Sequence, residues 1–124
     1  MAKILIVENE RDVLSTFEKG LAQNGYEVDG FDDPLKVLER FVPNTYNVLI
    51  LDIRMPKMNG FELYRELRKR GDRGAVFFIT AFDVYYEEFK RVFPDIDVKH
   101  FIKKPILIKE LVATINYALK ESAK

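Results

Sequence analysis

No cysteine occurs in the 124 residues, no charge of either sign predominates and no apolar run is long. Without cysteine there is no disulfide scaffold, and the absence agrees with a reducing compartment. With 20 Lys+Arg against 20 Asp+Glu, the chain has no long-range field to draw it onto nucleic acid or anionic lipid, so neither is an expected partner. The longest apolar runs, Val48 to Leu51 and Ala75 to Ile79, fall far short of the roughly 20 residues of a membrane helix. The apolar start, Ile4 to Val7, turns polar at Glu8 to Asp12, too soon for a secretory signal, and a cytoplasmic location is the expectation. Repeats, linkers and low-complexity tracts are also missing. What is present is 48% hydrophobic and 32% charged residues, enough for a core and a solvated surface, which excludes intrinsic disorder. The length suits one domain, residues 1–124.

Short apolar runs alternate with stretches of helical period, the pattern of βαβ units around a parallel sheet with helices on both faces. Ile4 to Val7 is continuously apolar, as a strand covered on both faces should be, and Val13, Leu14, Phe17 and Leu21 follow at helical spacing until Asn24-Gly25. Tyr26 to Phe31 reads as a more polar strand, and Asp32-Asp33-Pro34 as a helix start whose buried stripe is Leu35, Leu38, Phe41 and Val42. Asn47 to Leu51 is the most apolar strand so far, expected mid-sheet and ending at Asp52. The loop Ile53 to Gly60 leads into a helix through about Arg70, whose basic last turn suits the helix dipole and whose left-handed cap falls to Gly71. Ala75 to Ile79 is a fourth strand with Thr80-Ala81 at its end, and an aromatic helix carrying Phe82, Tyr85, Tyr86, Phe89 and Phe93 follows. Val98 to Ile102 is a fifth strand; after Lys103-Lys104-Pro105, the residues Ile108, Leu111, Val112, Ile115 and Leu119 mark a last amphipathic helix.

In open parallel sheets, ligands sit beyond the carboxyl ends of the strands. Those ends carry Glu8-Asn9, Asp52, Thr80 and Lys104, while the second strand offers nothing comparable. With the flavodoxin-like order 2-1-3-4-5 they converge on one crevice. Two carboxylates and an amide oxygen suit Mg²⁺, and a hydroxyl and an ammonium suit phosphoryl oxygens. Phosphoryl transfer needs chiefly positioning and charge neutralisation, so Asp52 reads as a nucleophile able to form an aspartyl phosphate, with Thr80 and Lys104 beside it.

These residues resemble a known family. Leu51 to Gly60, reading LDIRMPKMNG, is similar to the phosphoacceptor segment of response-regulator receiver domains of two-component signalling. Ile4 to Glu10 resembles the first strand and acidic pocket, and Ile79-Thr80-Ala81 and Lys104-Pro105 resemble the remaining motifs, so the likeness spans nearly the whole chain. The resemblance implies a stand-alone, chemotaxis-receiver-like switch in which Asp52 takes a phosphoryl group from a sensor kinase's phosphohistidine. It implies Mg²⁺ held by Glu8, Asn9, Asp52 and the backbone carbonyl of Arg54. It makes Thr80 and Phe101 switch residues, pairs Lys104 with the phosphoryl group, and makes the Lys104-Pro105 bond cis. Such a protein is no turnover enzyme; it catalyses only its own phosphorylation and dephosphorylation. It implies a histidine kinase or phosphotransfer protein as donor, and a downstream protein, or a phosphorylation-linked dimer, on the face of the aromatic helix, fifth strand and last helix.

The chain departs from the family at Asn9. Receivers usually carry two aspartates after the first strand, where this sequence has Glu8-Asn9. The crevice then holds two formal negative charges instead of three, and Mg²⁺ binding is expected to weaken by roughly 1–3 kcal/mol. Asn9 has a competing role as a helix N-cap, and Glu10 can reach back toward the crevice. The departure supports an alternative, a receiver-fold binding module that takes no phosphate. A flavin carrier or an aspartyl-nucleophile phosphatase is opposed by the loop Glu8 to Arg11, which lacks the hydroxyl- and glycine-rich character of a phosphate cradle. The single histidine, His100, has no partner in sequence that would make it a metal or catalytic site.

Overall fold

The computed structural model describes residues 2–81, 91, 94 and 101–122. Strands β1 (Lys3–Val7), β2 (Glu27–Phe31), β3 (Val48–Asp52), β4 (Ala75–Thr80) and β5 (Phe101–Lys103) form one parallel sheet in the order β2-β1-β3-β4-β5. The expected order and the central position of β3 are both seen. The aromatic segment Phe82, Tyr85, Tyr86, Phe89 and Phe93, the start of the fifth strand and His100 lie outside the described residues.

Alternation along the strands divides the core in two. On one face Ile4, Ile6 and Ile50 pack against α1 (Arg11–Gln23) and α4 (Ile108–Ser122) through Phe17, Leu21, Leu111 and Ile115. On the other, Leu5, Val7, Leu49 and Leu51 pack against α2 (Pro34–Arg40) and α3 (Gly60–Lys69) through Val37, Leu63 and Leu67. Each buried aliphatic side chain contributes about 1.5–3 kcal/mol. Burial on both faces explains why β1 and β3 are continuously apolar.

The stripe expected for the second helix is corrected. The helix ends at Arg40, and its buried residues are Pro34 and Val37, with Leu38 and Phe41 packed at the edge. Leu35 is 41% exposed and Val42 63%. Asp33 fixes this phase: its carboxylate accepts the Leu35 N–H at 2.9 Å, Pro34 takes the first helical position, and the turn from there aims Val37 inward. Phe41 is extended and leaves the helix before Val42.

Helix α3 begins with a reciprocal cap. Asn59 accepts the Glu62 N–H at 2.9 Å, and Glu62 accepts the Asn59 N–H at 3.1 Å. Gly71, at φ +95°, lies just past its end, as expected. Arg68 does more there than suit a dipole: it donates to the carbonyls of Asp72 and Gly74, both at 2.9 Å. At the other end, a Cβ placed on Gly60 would collide with the backbone carbonyl oxygen of Asp52. Among the described residues no helix is long and apolar enough to cross a membrane.

Candidate functional site

Because neighbouring strands run parallel and in register, their carboxyl ends lie side by side. Val7 pairs with Leu51, Asp52 with Ile79 and Thr80 with Lys103, so Glu8, Asp52, Thr80 and Lys104 all emerge at one edge. The backbone there is tied down as well. Glu8 N–H donates to Phe31 O at 3.0 Å, Ile53 N–H to Ile79 O at 3.0 Å and Lys104 N–H to Thr80 O at 2.8 Å. The Lys104-Pro105 peptide bond is cis.

Lys104 is the hub. Its Nζ lies 2.7 Å from Glu8 Oε1, 3.6 Å from Asp52 Oδ2 and 3.7 Å from Glu10 Oε1. Glu8, Asp52 and Thr80 are buried, while Glu10 is largely exposed at the rim. Asp52 Oδ1 accepts the Arg54 N–H at 3.3 Å, which aims the carboxylate into the crevice. Burial, and next the neighbouring Asp52, pushes the Glu8 carboxyl up to about 8, against the pull of Lys104. Burial also opposes charge on Lys104, but Glu8, Asp52 and Glu10 outweigh it and raise that ammonium's pKa. Lys104 therefore stays charged, and Glu8 is the group whose protonation is in play.

Asn9 is not the helix N-cap; Glu10 takes that place, without a side-chain cap bond. One terminal position of the Asn9 amide lies 2.8 Å from Asp52 Oδ2 and 3.2 Å from Arg54 O; an oxygen there would face two acceptors, so hydrogen-bond satisfaction assigns it to the nitrogen when no cation is bound. Phe101 lies against Phe78 and Phe61, with centroids 5.6 and 6.2 Å away, in the cluster beneath α3.

The second strand end contributes more than the sequence suggested. Asp32 pairs with Arg11 and Asp33 with Lys57, each at 3.0 Å, joining the start of α1 to the loops after β2 and β3. The only sequence signal is their position directly after β2. These pairs form a rim and touch neither Asp52 nor Lys104.

Two features decide whether a divalent cation fits. Glu8 Oε2 is buried and has no hydrogen-bond partner among the described residues, an orphaned acceptor beside Asp52. The available donors, two carboxylates, the Arg54 carbonyl and the Asn9 amide oxygen once turned inward, are all hard oxygens. Among the described residues no cluster of three or more His, Cys, Asp or Glu side chains could hold a metal unaided. A site of few protein oxygens completed by water suits Mg²⁺, so these residues fit it.

Residues 4–116 match the sequence profile of the response regulator receiver domain. The chain belongs to that family, the receiver domains of two-component signalling. It is similar to the response regulator MprA of Mycobacterium leprae, 31% identical over 97% of this chain, and to that of Mycobacterium ulcerans, 30% identical over 97%. It spans about half the length of these relatives, 52% and 51%. Among solved structures, a CheY-like receiver domain protein from Methanospirillum hungatei superposes with a TM-score of 0.84 at 24% identity, covering 98% of this chain and 95% of that one. A Francisella receiver domain gives 0.83 at 23%, covering 98% and 99%.

Proposed function

We propose that residues 1–124 act as one phosphorylation-controlled switch with Asp52 as phosphoacceptor. One observation carries this reading: Lys104 Nζ stands 3.6 Å from Asp52 Oδ2 although 52 residues of chain separate them. An ammonium held against a buried carboxylate, with a hydroxyl at the end of the adjoining strand, is equipment for stabilising a phosphoryl group.

An Asp52 carboxylate oxygen attacks phosphorus in the kinase's phosphohistidine; the new O–P bond forms as the P–N bond breaks, and the imidazole leaves with the electron pair. Lys104 neutralises charge on the transferred group, and the Thr80 hydroxyl donates to a phosphoryl oxygen. Glu8, Asp52, the Arg54 carbonyl and the Asn9 amide oxygen would hold Mg²⁺, which would supply further charge neutralisation. Phosphorylation adds nearly two negative charges to a crevice where Lys104 is already shared by three carboxylates. Thr80 shifts toward the new group, Phe101 repacks against Phe61 and Phe78, and a partner protein reads the face of β5 and α4.

Incubation with Mg²⁺ and acetyl phosphate followed by intact-mass measurement tests this. The expected result is a gain of one phosphoryl group, absent in Asp52→Asn. No gain in the unsubstituted protein refutes the switch and leaves the phosphate-independent binding module, the reading suggested by an amide at Asn9 in place of a carboxylate.

A further inference from the structure

The Asn9 side chain satisfies with its own nitrogen the same two oxygens that the proposed cation would bind. The amide position nearest them is 2.8 Å from Asp52 Oδ2 and 3.2 Å from Arg54 O, both acceptors, so without a cation it is the nitrogen that satisfies them, with both its hydrogens used. The geometry is informative in a second way. Oxygen ligands at about 2.0–2.1 Å around an octahedral ion are spaced about 2.8–3.0 Å along each edge. The 2.8 Å separation from the Asn9 terminal atom to Asp52 Oδ2 is of that size, and the 3.2 Å to Arg54 O is slightly longer. An aspartate here could not do this, since a carboxylate has no hydrogen to give Asp52.

We propose that Asn9 is a built-in stand-in for the divalent cation: with nitrogen inward it bridges Asp52 and the Arg54 carbonyl, and cation binding requires the amide to turn over and present its oxygen. The inference rests on the switch reading of this crevice and adds a regulatory consequence. A site with two aspartates would hold unrelieved repulsion until an ion arrived. Here the amide relieves the pocket beforehand, so the ion must displace two hydrogen bonds as well as find one fewer negative charge. Cation binding becomes an exchange of partners at Asp52 and the Arg54 carbonyl, and that side of the cation-free crevice is more ordered than charge counting implies.

Side-chain amide NMR of the full chain tests this, with the Asn9 resonances assigned by their absence in Asn9→Ala. In EDTA both Asn9 amide protons should be downfield and slow to exchange with solvent, and titration with Mg²⁺ should abolish both properties. Asn9→Ala, which removes the donors and adds no charge, should melt below the unsubstituted protein in EDTA. Asn9→Asp should bind Mg²⁺ about ten-fold more tightly. Solvent-exchanging Asn9 protons in EDTA, or an Asn9→Ala melting temperature unchanged there, overturns the proposal. So do Asn9 signals that stay fixed while Asp52 and Arg54 resonances report saturation by Mg²⁺, an outcome that leaves the switch standing. If Mg²⁺ moves no resonance in either the unsubstituted protein or Asn9→Asp, both the stand-in and the Mg²⁺-dependent switch fall.

Discussion

At the amino end of β4, Asp72 is buried with a full set of partners: its Oδ1 accepts the Asn44 N–H at 2.9 Å, and its Oδ2 accepts the Gly74 N–H at 3.0 Å and faces Arg68 at 3.4 Å. At the carboxyl ends of β1 and β3, Glu8 and Asp52 are equally buried, yet they share one ammonium and leave Glu8 Oε2 unpartnered among the described residues. Both regions withdraw carboxylates from water, and only one compensates them fully. The saturated cluster behaves as a structural clamp, tying the turn between α3 and β4 to Asn44, at φ +62°, in the connection before β3. The under-satisfied cluster has capacity left for a ligand. Incomplete compensation of buried charge separates the site from the scaffold better than burial or charge alone.

Breaking the clamp should have the largest effect on the fold. Asp72→Ala strands two backbone N–H groups and removes the carboxylate of Arg68, and is expected to cost about 2–4 kcal/mol in urea denaturation. Glu8→Gln at the other end should leave the cation-free protein no less stable below about pH 8, because the folded state already holds this buried group neutral there. Equal losses in the two variants would erase the distinction.

A smaller effect sharpens the comparison through pH. The Glu8 carboxyl is raised from 4.5 to about 8, so between those values the folded state holds a proton that the unfolded chain has released. Stability from this group is then fully present below the unfolded value and declines as pH rises toward 8, by at most about 1.4 kcal/mol per pH unit. Denaturation in EDTA across that window should show the decline, and Glu8→Gln should flatten it. Calorimetry at neutral pH should also detect proton release when Mg²⁺ binds, since the cation needs the carboxylate.

The smallest effect belongs to the rim. Lys57→Ala removes an exposed ion pair with Asp33, whose carboxyl is held low first by the Leu35 N–H and then by Lys57. The denaturation midpoint should not move measurably, because water and salt screen such a pair.

The strands could be read from the sequence because β1 and β3 are covered on both faces and therefore carry unbroken apolar runs. The convergence of Glu8, Asp52, Thr80 and Lys104 could be read because strand ends in a parallel sheet share one edge. Other features depend on contacts that no local pattern encodes. Asp72 meets Asn44 across 28 residues, so Arg68 looked like a dipole complement until the turn it clamps was visible. The α2 stripe was misjudged because capping by Asp33, not the spacing of Leu35 and Val42, sets the helix phase. The orientation of the Asn9 amide is a property of the pocket around it, and the residue name alone signals only a missing charge.

Gly60 joins the scaffold to the chemistry. With no side chain there, the first residue of α3 rests directly on the Asp52 carbonyl, and its N–H returns to Ile53 O at 3.0 Å. The segment bearing the Arg54 carbonyl is thus an arch with both feet anchored within one residue of Asp52. A carbonyl on so short an arch is aimed before any ion or phosphate arrives, and a methyl group at its far foot would lift the keystone, spoiling the pocket while leaving every charged side chain in place.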